Sequence, residues 1–237
     1  MGASGQARME LYVDPCCPFA WIAYRWLAEV QQQRALELGL QLMSLPMLNE
    51  HQSISPGYRR LLAHTWGPAR VAAAAVQQHG SVALAALEEA LARRIFGGAD
   101  HYRVIREELE SVILDALAEA GLPGRLADAA KSDAYDSPLR ASHDAALASI
   151  VNGVGTPIIH LGAAAFFGPV MTGVPRVSEA LQVFDGLRLL ASYPRLFEIK
   201  RPLAGSLELG STGPESSRSG SAGRGAMDVN MVSARSA

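Results

Sequence analysis

The sequence lacks both a long apolar run and an excess of charge of either sign. No stretch approaches the ~20 apolar residues that a membrane span requires, and the formal net charge is only -2. A dedicated nucleic-acid-binding protein carries a basic face, so the near-neutral balance argues against that class. Residues 1–8 are small and polar and lack the basic-then-apolar order of a secretory signal. We therefore expect a cytoplasmic protein that binds neither nucleic acid nor a membrane.

Cysteine is scarce as well: the 237 residues include only Cys16 and Cys17, which are adjacent. Structural disulfides are rare in the cytoplasm, so a chemical role is favoured for this pair. Two alternatives stay open. Both thiols could be buried as small hydrophobic groups, the usual fate of free cysteine. They could also form a vicinal disulfide, which requires a strained eight-membered ring.

Apolar periodicity predicts a strand–helix–strand unit at the start of the chain. Residues 9–13 alternate as in a strand, residues 18–34 have a broad apolar helical face, and residues 38–45 form a second apolar run. This order indicates the start of a parallel sheet. Strand signals return at residues 156–161 and 164–167, separated by a glycine turn, which predicts a hairpin.

A long helical block separates these two strand-containing segments. Glycine and proline interrupt it in the way that helix ends do. The predicted helices of the block cover residues 56–79, 82–95, 101–120, 123–131 and 136–150, and another follows the hairpin at about 175–189. A block this long and this helical indicates an inserted subdomain.

The segment most informative about function is Asp14-Pro15-Cys16-Cys17-Pro18, between the first strand and the first helix. Pro18 suits the first helical position, because its missing N–H has no partner there in any case. Cys17 then lies at the helix N-cap, facing unpaired N–H groups and the positive end of the helix dipole. Both favour the thiolate and predict a lowered pKa for Cys17. Cys16 lies outside this geometry and should be the less acidic thiol.

Blocks of residues spread from about position 10 to position 201 carry a resemblance to a known family. They are Asp14-Pro15, Cys17-Pro18, Trp21-Ile22, Arg25-Trp26-Leu27, Met43-Ser44-Leu45, Leu48-Asn49-Glu50, Trp66-Gly67-Pro68, Arg70-Val71, Gly121-Leu122-Pro123, Ser132-Asp133-Ala134-Tyr135-Asp136, Val154-Gly155-Thr156-Pro157, Phe166-Phe167-Gly168-Pro169-Val170, Ala191-Ser192-Tyr193-Pro194 and Phe197-Glu198. The chain resembles the DsbA-like thioredoxin superfamily, which also holds the kappa-class glutathione transferases and 2-hydroxychromene-2-carboxylate isomerases. Within it, the mycothiol-dependent nitroreductases resemble the chain most closely.

The resemblance implies an α/β, thioredoxin-like fold with an all-helical insertion subdomain, as in DsbA. We predict that residues 1–55 and 151–202 form the thioredoxin-like domain and residues 56–150 the helical insertion. Residues 203–237 are rich in glycine, serine and arginine and poor in large apolar groups. Such a segment buries too little surface to offset its ordering entropy, which predicts a disordered tail.

The resemblance also implies a set of residues around the reactive thiol. Thioredoxin-like folds place a cis-proline opposite the reactive cysteine, and the match here is Thr156-Pro157. Asn49 and Tyr58 match residues that line the pocket above the thiol, although Asn49 could equally be a loop-turn residue and Tyr58 a core aromatic. The predicted catalytic residue is Cys17, and the predicted thiol-binding or substrate-binding residues are Pro18, Phe19, Trp21, Asn49, Tyr58, Thr156 and Pro157.

The chain departs from the family's redox motif at one position. Redox-active members carry Cys-Pro-Trp-Cys at the helix start, whereas this chain has Cys17-Pro18-Phe19-Ala20. Phe19 keeps an aromatic group in place of tryptophan, but Ala20 has no thiol. A dithiol needs its second sulfur to expel the partner from a mixed disulfide. We therefore expect a monothiol route, in which Cys17 forms a mixed disulfide or adduct that a free small thiol releases.

These expectations define the predicted function and its alternatives. The first is a DsbA-like thiol oxidoreductase that uses mycothiol as co-substrate against an electrophilic or disulfide substrate, with nitroreductase activity in doubt because the resolving cysteine is absent. The second is a thiol-dependent isomerase or transferase, and the third is a non-catalytic binding module with a degenerate thioredoxin fold. The sequence shows no phosphate loop, dinucleotide fingerprint or metal-ligand cluster, so we expect no tightly bound cofactor. The sequence is compatible with a homodimer.

Overall fold

The structure is a computed structural model that describes residues 7–150, 154–202 and 205–209. The predicted tail, residues 203–237, therefore lies outside the described residues except at 205–209. In the described part of the chain, no helix is both long enough and apolar enough to cross a membrane.

A four-stranded mixed sheet forms the centre of the thioredoxin-like part. Its strands are β1 (Ala7–Val13), β2 (Leu36–Leu42), β3 (Ile158–Leu161) and β4 (Ala164–Phe167), in the order β2-β1-β3-β4. β1 pairs in parallel with β2 and antiparallel with β3, and β3 and β4 form the predicted hairpin. Because β3 runs antiparallel beside β1, the loop that enters β3 lies next to the end of β1. This topology brings together two segments far apart in sequence.

The first helix, α1 (Pro18–Gln31), follows β1 and packs against the sheet through a fully buried face that includes Ile22, Trp26 and Leu27. The last helix of the described residues, α8 (Val177–Ala191), packs against α1. The indole N–H of Trp26 donates to the carbonyl oxygen of Ala180 at 3.0 Å. The N–H group of this buried indole is therefore hydrogen-bonded.

Helices make up the block between the two strand-containing segments. They are α2 (Leu45–Leu48), α3 (Pro56–His79), α4 (Val82–Phe96), α5 (His101–Arg103), a π-helical turn (Val104–Glu108), α6 (Leu109–Glu119), two 3₁₀ segments (Gly124–Lys131 and Asp133–Tyr135) and α7 (Asp136–Leu147). All four described strands fall outside residues 56–150, as predicted, whereas the exact domain boundaries stay a prediction.

Two predicted elements differ in the structure. The second strand ends at Leu42 rather than at residue 45, because Ser44 caps α2 and its Oγ accepts the N–H of Met47 at 3.3 Å. The helix predicted over residues 101–120 is divided into α5, the π-helical turn and α6. A π-turn inserts a residue into the helical repeat, and apolar periodicity alone does not reveal such a change.

Candidate active site

Cys17 is the N-cap residue of α1, and Pro18 is the first helical residue, as predicted. The backbone at Cys17 is extended, with φ -95° and ψ 114°. Its N–H donates to the carbonyl oxygen of Asp14 at 2.9 Å, and its carbonyl oxygen accepts the N–H of Trp21 at 3.1 Å. Both cysteines are free thiols in the structure, and both are buried.

The thiol of Cys17 contacts the loop that leads into β3. Its Sγ donates to the carbonyl oxygen of Thr156 at 3.4 Å, and the Thr156–Pro157 peptide bond is cis. The hydroxyl of Thr156 is buried and has no hydrogen-bond partner among the described residues. The structure therefore brings together Cys17, Thr156 and Pro157, three residues of the predicted site.

The pKa of Cys17 departs from the sequence prediction. We expected a lowered pKa, but the side chain is only 4% exposed, and burial raises the pKa of this thiol to about 12. The backbone N–H groups of Ala20 and Phe19 lower it, as a helix N-terminus should, whereas the Asp14 and Glu88 carboxyl groups raise it further. Loss of water around the sulfur thus outweighs the effect of the helix terminus on the pKa of Cys17 in this structure.

Asp14 is a buried carboxyl group that holds the thiol-bearing turn in place. Its Oδ1 accepts the N–H of Cys16 at 2.8 Å, and its Oδ2 accepts the N–H of Leu45 at 2.7 Å. Burial raises the pKa of Asp14 to about 6, although these two hydrogen bonds lower it. Asp14 therefore joins the end of β1 to the start of α2 and carries buried negative charge near Cys17 at neutral pH.

The aromatic residues of the motif lie in the first turn of α1. Phe19 and Trp21 are buried, and the Trp21 ring stacks on Tyr24 with centroids 5.9 Å apart. The guanidinium of Arg25 lies 5.5 Å from the centroid of the Trp21 ring. Phe19 is therefore part of the same hydrophobic core cluster as Cys17.

Tyr58 and Asn49 take different positions relative to Cys17. Tyr58 lies in the first turn of α3, and burial raises the pKa of its phenol, with Cys17 as the next largest cause. Its hydroxyl is therefore within electrostatic range of the thiol. Asn49 follows the last residue of α2, and its side-chain amide donates to the carbonyl oxygen of Leu45 at 2.8 Å. Such a contact is typical of a loop-turn residue, which is the alternative role that the sequence left open for Asn49.

Sequence reasoning missed three ionisable neighbours of the thiol: Asp14, Glu88 and Tyr102. Glu88 lies on α4 and is 1% exposed. Tyr102 lies on α5, and its pKa is raised by burial as the largest cause and by the charge of Cys17 as the second. A signal existed for Glu88, because it falls on the apolar face of the predicted helix, between Leu84 and Leu91. For Tyr102 we find no comparable signal.

Metal-ligating geometry is absent from the described part of the chain. No group of three or more histidine, cysteine, aspartate and glutamate side chains is arranged there to hold a metal ion. The groups that the described residues do bring to the site include a buried thiol, the N-terminus of a helix and two buried carboxyl groups.

Comparison with known families identifies the class of protein. Residues 16–201 match the profile of the Rv2466c-like family, described as mycothiol-dependent nitroreductase Rv2466c. The chain belongs to this family. It is also 25% identical over 198 residues to the uncharacterized protein Rv2286c of Mycobacterium tuberculosis, a match that covers 82% of this chain and 81% of that protein.

A solved structure supports the fold of this family member. The crystal structure described as "probable DsbA oxidoreductase SCO1869" from Streptomyces coelicolor matches with a TM-score of 0.50 and 17% identity, covering 83% of this chain and 94% of the other. The predicted DsbA-like thioredoxin fold is thus confirmed, and family membership confirms the prediction of a thiol-dependent oxidoreductase.

Proposed function

We propose that the protein is a monothiol oxidoreductase in which Cys17 is the nucleophile and mycothiol the co-substrate. One observation carries this proposal. The Sγ atom of Cys17 lies at the N-terminus of α1 and 3.4 Å from the carbonyl oxygen of Thr156, while Ala20 occupies the position of a resolving cysteine. The family membership supports mycothiol as the small thiol.

The proposed reaction consists of two thiol–disulfide exchanges. The Cys17 thiolate attacks one sulfur of a substrate disulfide, a new S–S bond forms, and the other sulfur leaves as a thiolate that takes up a proton. A free mycothiol thiolate then attacks the substrate sulfur of the mixed disulfide, a mycothiol–substrate disulfide forms, and Cys17 leaves as a thiolate, so that mycothiol is oxidised and the first leaving thiol is the reduced product. The N–H groups of Phe19 and Ala20 stabilise the negative sulfur at both stages.

The other predicted residues have positioning roles in this proposal. Pro18 begins the helix that presents its N–H groups to the sulfur, and Trp21 supports the first turn. Thr156 and Pro157 present a backbone edge beside Cys17, on which a bound thiol can lie. We propose that the phenol of Tyr58 faces the far side of the bound thiol, and that Asn49, whose amide donates to the carbonyl oxygen of Leu45, shapes the turn after α2 beside it.

The closed site favours a second candidate, a non-catalytic binding module. Cys17 is only 4% exposed and its pKa is raised to about 12, and a binding module needs neither an accessible nor an activated thiol. In the enzymatic proposal, side chains around Cys17 move to admit the small thiol, which restores polar contacts to the sulfur and lowers its pKa. A cytoplasmic location and a homodimer stay predictions from the sequence.

Intact mass after incubation with oxidised mycothiol distinguishes the two candidates. We expect one mixed-disulfide adduct on the wild-type protein and on Cys16→Ser, and none on Cys17→Ser. Adduct formation should reverse when reduced mycothiol is added. No adduct on any variant, with both thiols shown to be reduced, would contradict the enzymatic proposal and favour the binding module.

A further inference from the structure

Residues 205–209, which we call the strap, follow α8 in the chain and return to the loop between β4 and α8. The N–H of Glu208 in the strap donates to the carbonyl oxygen of Thr172 in this loop at 2.6 Å. The side chain of Glu208 lies over the next loop residue, Gly173, where an added Cβ atom would lie 3.0 Å from Oε2 of Glu208. The strap is therefore in close contact with the loop through both its backbone and a side chain.

The strap also carries two apolar side chains that pack against the protein. Leu207 and Leu209 are half-buried and contact the main hydrophobic core, whereas Glu208 between them is exposed. This alternation is typical of an extended segment with one face against the protein. Three apolar residues of the loop between β4 and α8 pack against the same core: Val170, Met171 and Val174. Burial of this apolar surface favours the packed position of the strap.

The loop between β4 and α8 connects the strap to the reactive thiol. At the start of the loop, the N–H of Gly168 donates to the carbonyl oxygen of Pro157 at 2.8 Å. The carbonyl oxygen of the preceding residue, Thr156, accepts the thiol of Cys17 at 3.4 Å. The loop is therefore held at Gly168, beside the thiol site, and at Thr172, by the strap. A thiol that reacts with Cys17 has to displace the contact with Thr156, and a loop that is held at two points opposes this movement.

We infer that the strap is an autoinhibitory contact that restricts access to Cys17. While the strap is packed on the loop, Cys17 is only 4% exposed, and a reagent reaches it only during local opening. When the strap leaves, the loop can move away from Pro157 and the Sγ atom becomes accessible. The strap lies after residue 201, where the match to the family ends, so family membership does not predict it. The inference deepens the proposed function and rests on it for its biological meaning.

The test measures the rate at which iodoacetamide alkylates Cys17 in the full chain carrying Cys16→Ser, which is the parent protein. Glu208→Pro removes the N–H group that donates to Thr172. We expect a reaction about fivefold faster than in the parent, the factor that one net hydrogen bond gives in an opening equilibrium. The factor should be the same at about pH 7 and about pH 9, because it comes from access to the thiol and not from its ionisation.

A second strap variant and two controls separate the contact from the substitution itself. Leu207→Ser with Leu209→Ser removes the apolar contacts of the strap and should also speed alkylation several-fold. Leu189→Ser with Leu190→Ser makes the same change at exposed leucines of α8 and should leave the rate unchanged. Glu208→Ala keeps the backbone N–H and should stay closer to the parent rate than Glu208→Pro.

The inference requires a gain in both strap variants. A rate equal to or below that of the parent in either variant overturns it, as does an equal gain in the leucine control on α8 or in Glu208→Ala. A gain that is fully explained by a lower free energy of unfolding, measured by denaturant titration, also overturns it. Alkylation does not need mycothiol, so the result is independent of the mixed-disulfide experiment. A gain in both strap variants without any mycothiol adduct would uphold the role of the strap and contradict the proposed function.

Discussion

The thiol of Cys17 donates a hydrogen bond to the carbonyl oxygen of Thr156, 139 residues away in the sequence, at 3.4 Å. This contact joins the N-terminus of α1 to the loop that enters β3. A small thiol that reacts with Cys17 has to replace this contact. The same residue, Thr156, carries a buried hydroxyl group that has no hydrogen-bond partner among the described residues, and this hydroxyl gives the first prediction.

Thr156→Val should separate stability from thiol binding. The buried hydroxyl has no described partner, so its removal should raise the free energy of unfolding by about 1 kcal/mol. If the hydroxyl binds the incoming thiol, the mixed disulfide with oxidised mycothiol should form several-fold more slowly. Denaturant unfolding and time-resolved intact mass measure the two effects. Thr156→Ser keeps the hydroxyl and should retain the rate; an unchanged rate in Thr156→Val would argue against a binding role.

Ala20→Cys should convert the monothiol site into a dithiol site. Ala20 is three residues after Cys17 in the first turn of α1, and residues with this spacing are neighbours on a helix. The new thiol should resolve the mixed disulfide, so that oxidised mycothiol yields a protein lighter by two hydrogens instead of an adduct. Ala23→Cys, one turn farther along α1, is the control and should leave the adduct in place. An adduct that persists in Ala20→Cys would contradict the resolving role of this position.

The stability of the protein should fall as the pH rises from about 5 to about 9. The folded-state pKa values of Asp14 and Glu88 are raised to about 6 and about 8 from their ordinary values of 3.8 and 4.5. The stabilisation that comes from these raised pKa values is therefore fully present below the pKa values of the unfolded chain. It is lost as the pH rises through the pKa values of the folded protein. Glu88 alone should contribute a loss of about 4 kcal/mol. Denaturant titrations across this range measure the slope, which should become shallower in Glu88→Gln; an equal slope in both proteins would count against a raised pKa for Glu88.

Arg70 and Asp136 should couple α3 to α7. The Nε of Arg70 donates to Oδ1 of Asp136 at 2.7 Å and its Nη2 to Oδ2 at 2.8 Å, while the guanidinium lies 4.9 Å from the centroid of the Trp66 ring. A double-mutant cycle with Arg70→Met and Asp136→Asn should give a coupling of about 1–2 kcal/mol, because the pair is bidentate and partly buried. The exposed pair Lys131–Glu110, at 2.9 Å, is the comparison and should give no measurable coupling. Equal coupling energies for the two pairs would contradict the view that bidentate geometry and partial burial strengthen the Arg70–Asp136 pair.

The sequence by itself determined the local features of the protein. Helix capping and apolar periodicity depend on neighbouring residues, so Pro18 at the start of α1, Cys17 at its N-cap and the bounds of α3 (Pro56–His79) could be predicted. The absence of a resolving thiol at Ala20 was equally visible. The second strand and the residues around the π-helical turn were predicted less well, because a cap at Ser44 and a change of helical repeat overrode the apolar pattern.

Only the tertiary structure decided the electrostatics of the site. The Asp14 carboxyl group accepts the N–H of Leu45 at the start of α2, and the buried Glu88 carboxyl group on α4 contributes to the raised pKa of Cys17. The pKa of a thiol depends on all surrounding charges and on the water that remains, which are set by contacts between distant segments. The N-cap position of Cys17 therefore correctly predicted that the backbone N–H groups of the helix lower its pKa. Burial has the larger effect, so the pKa is raised overall.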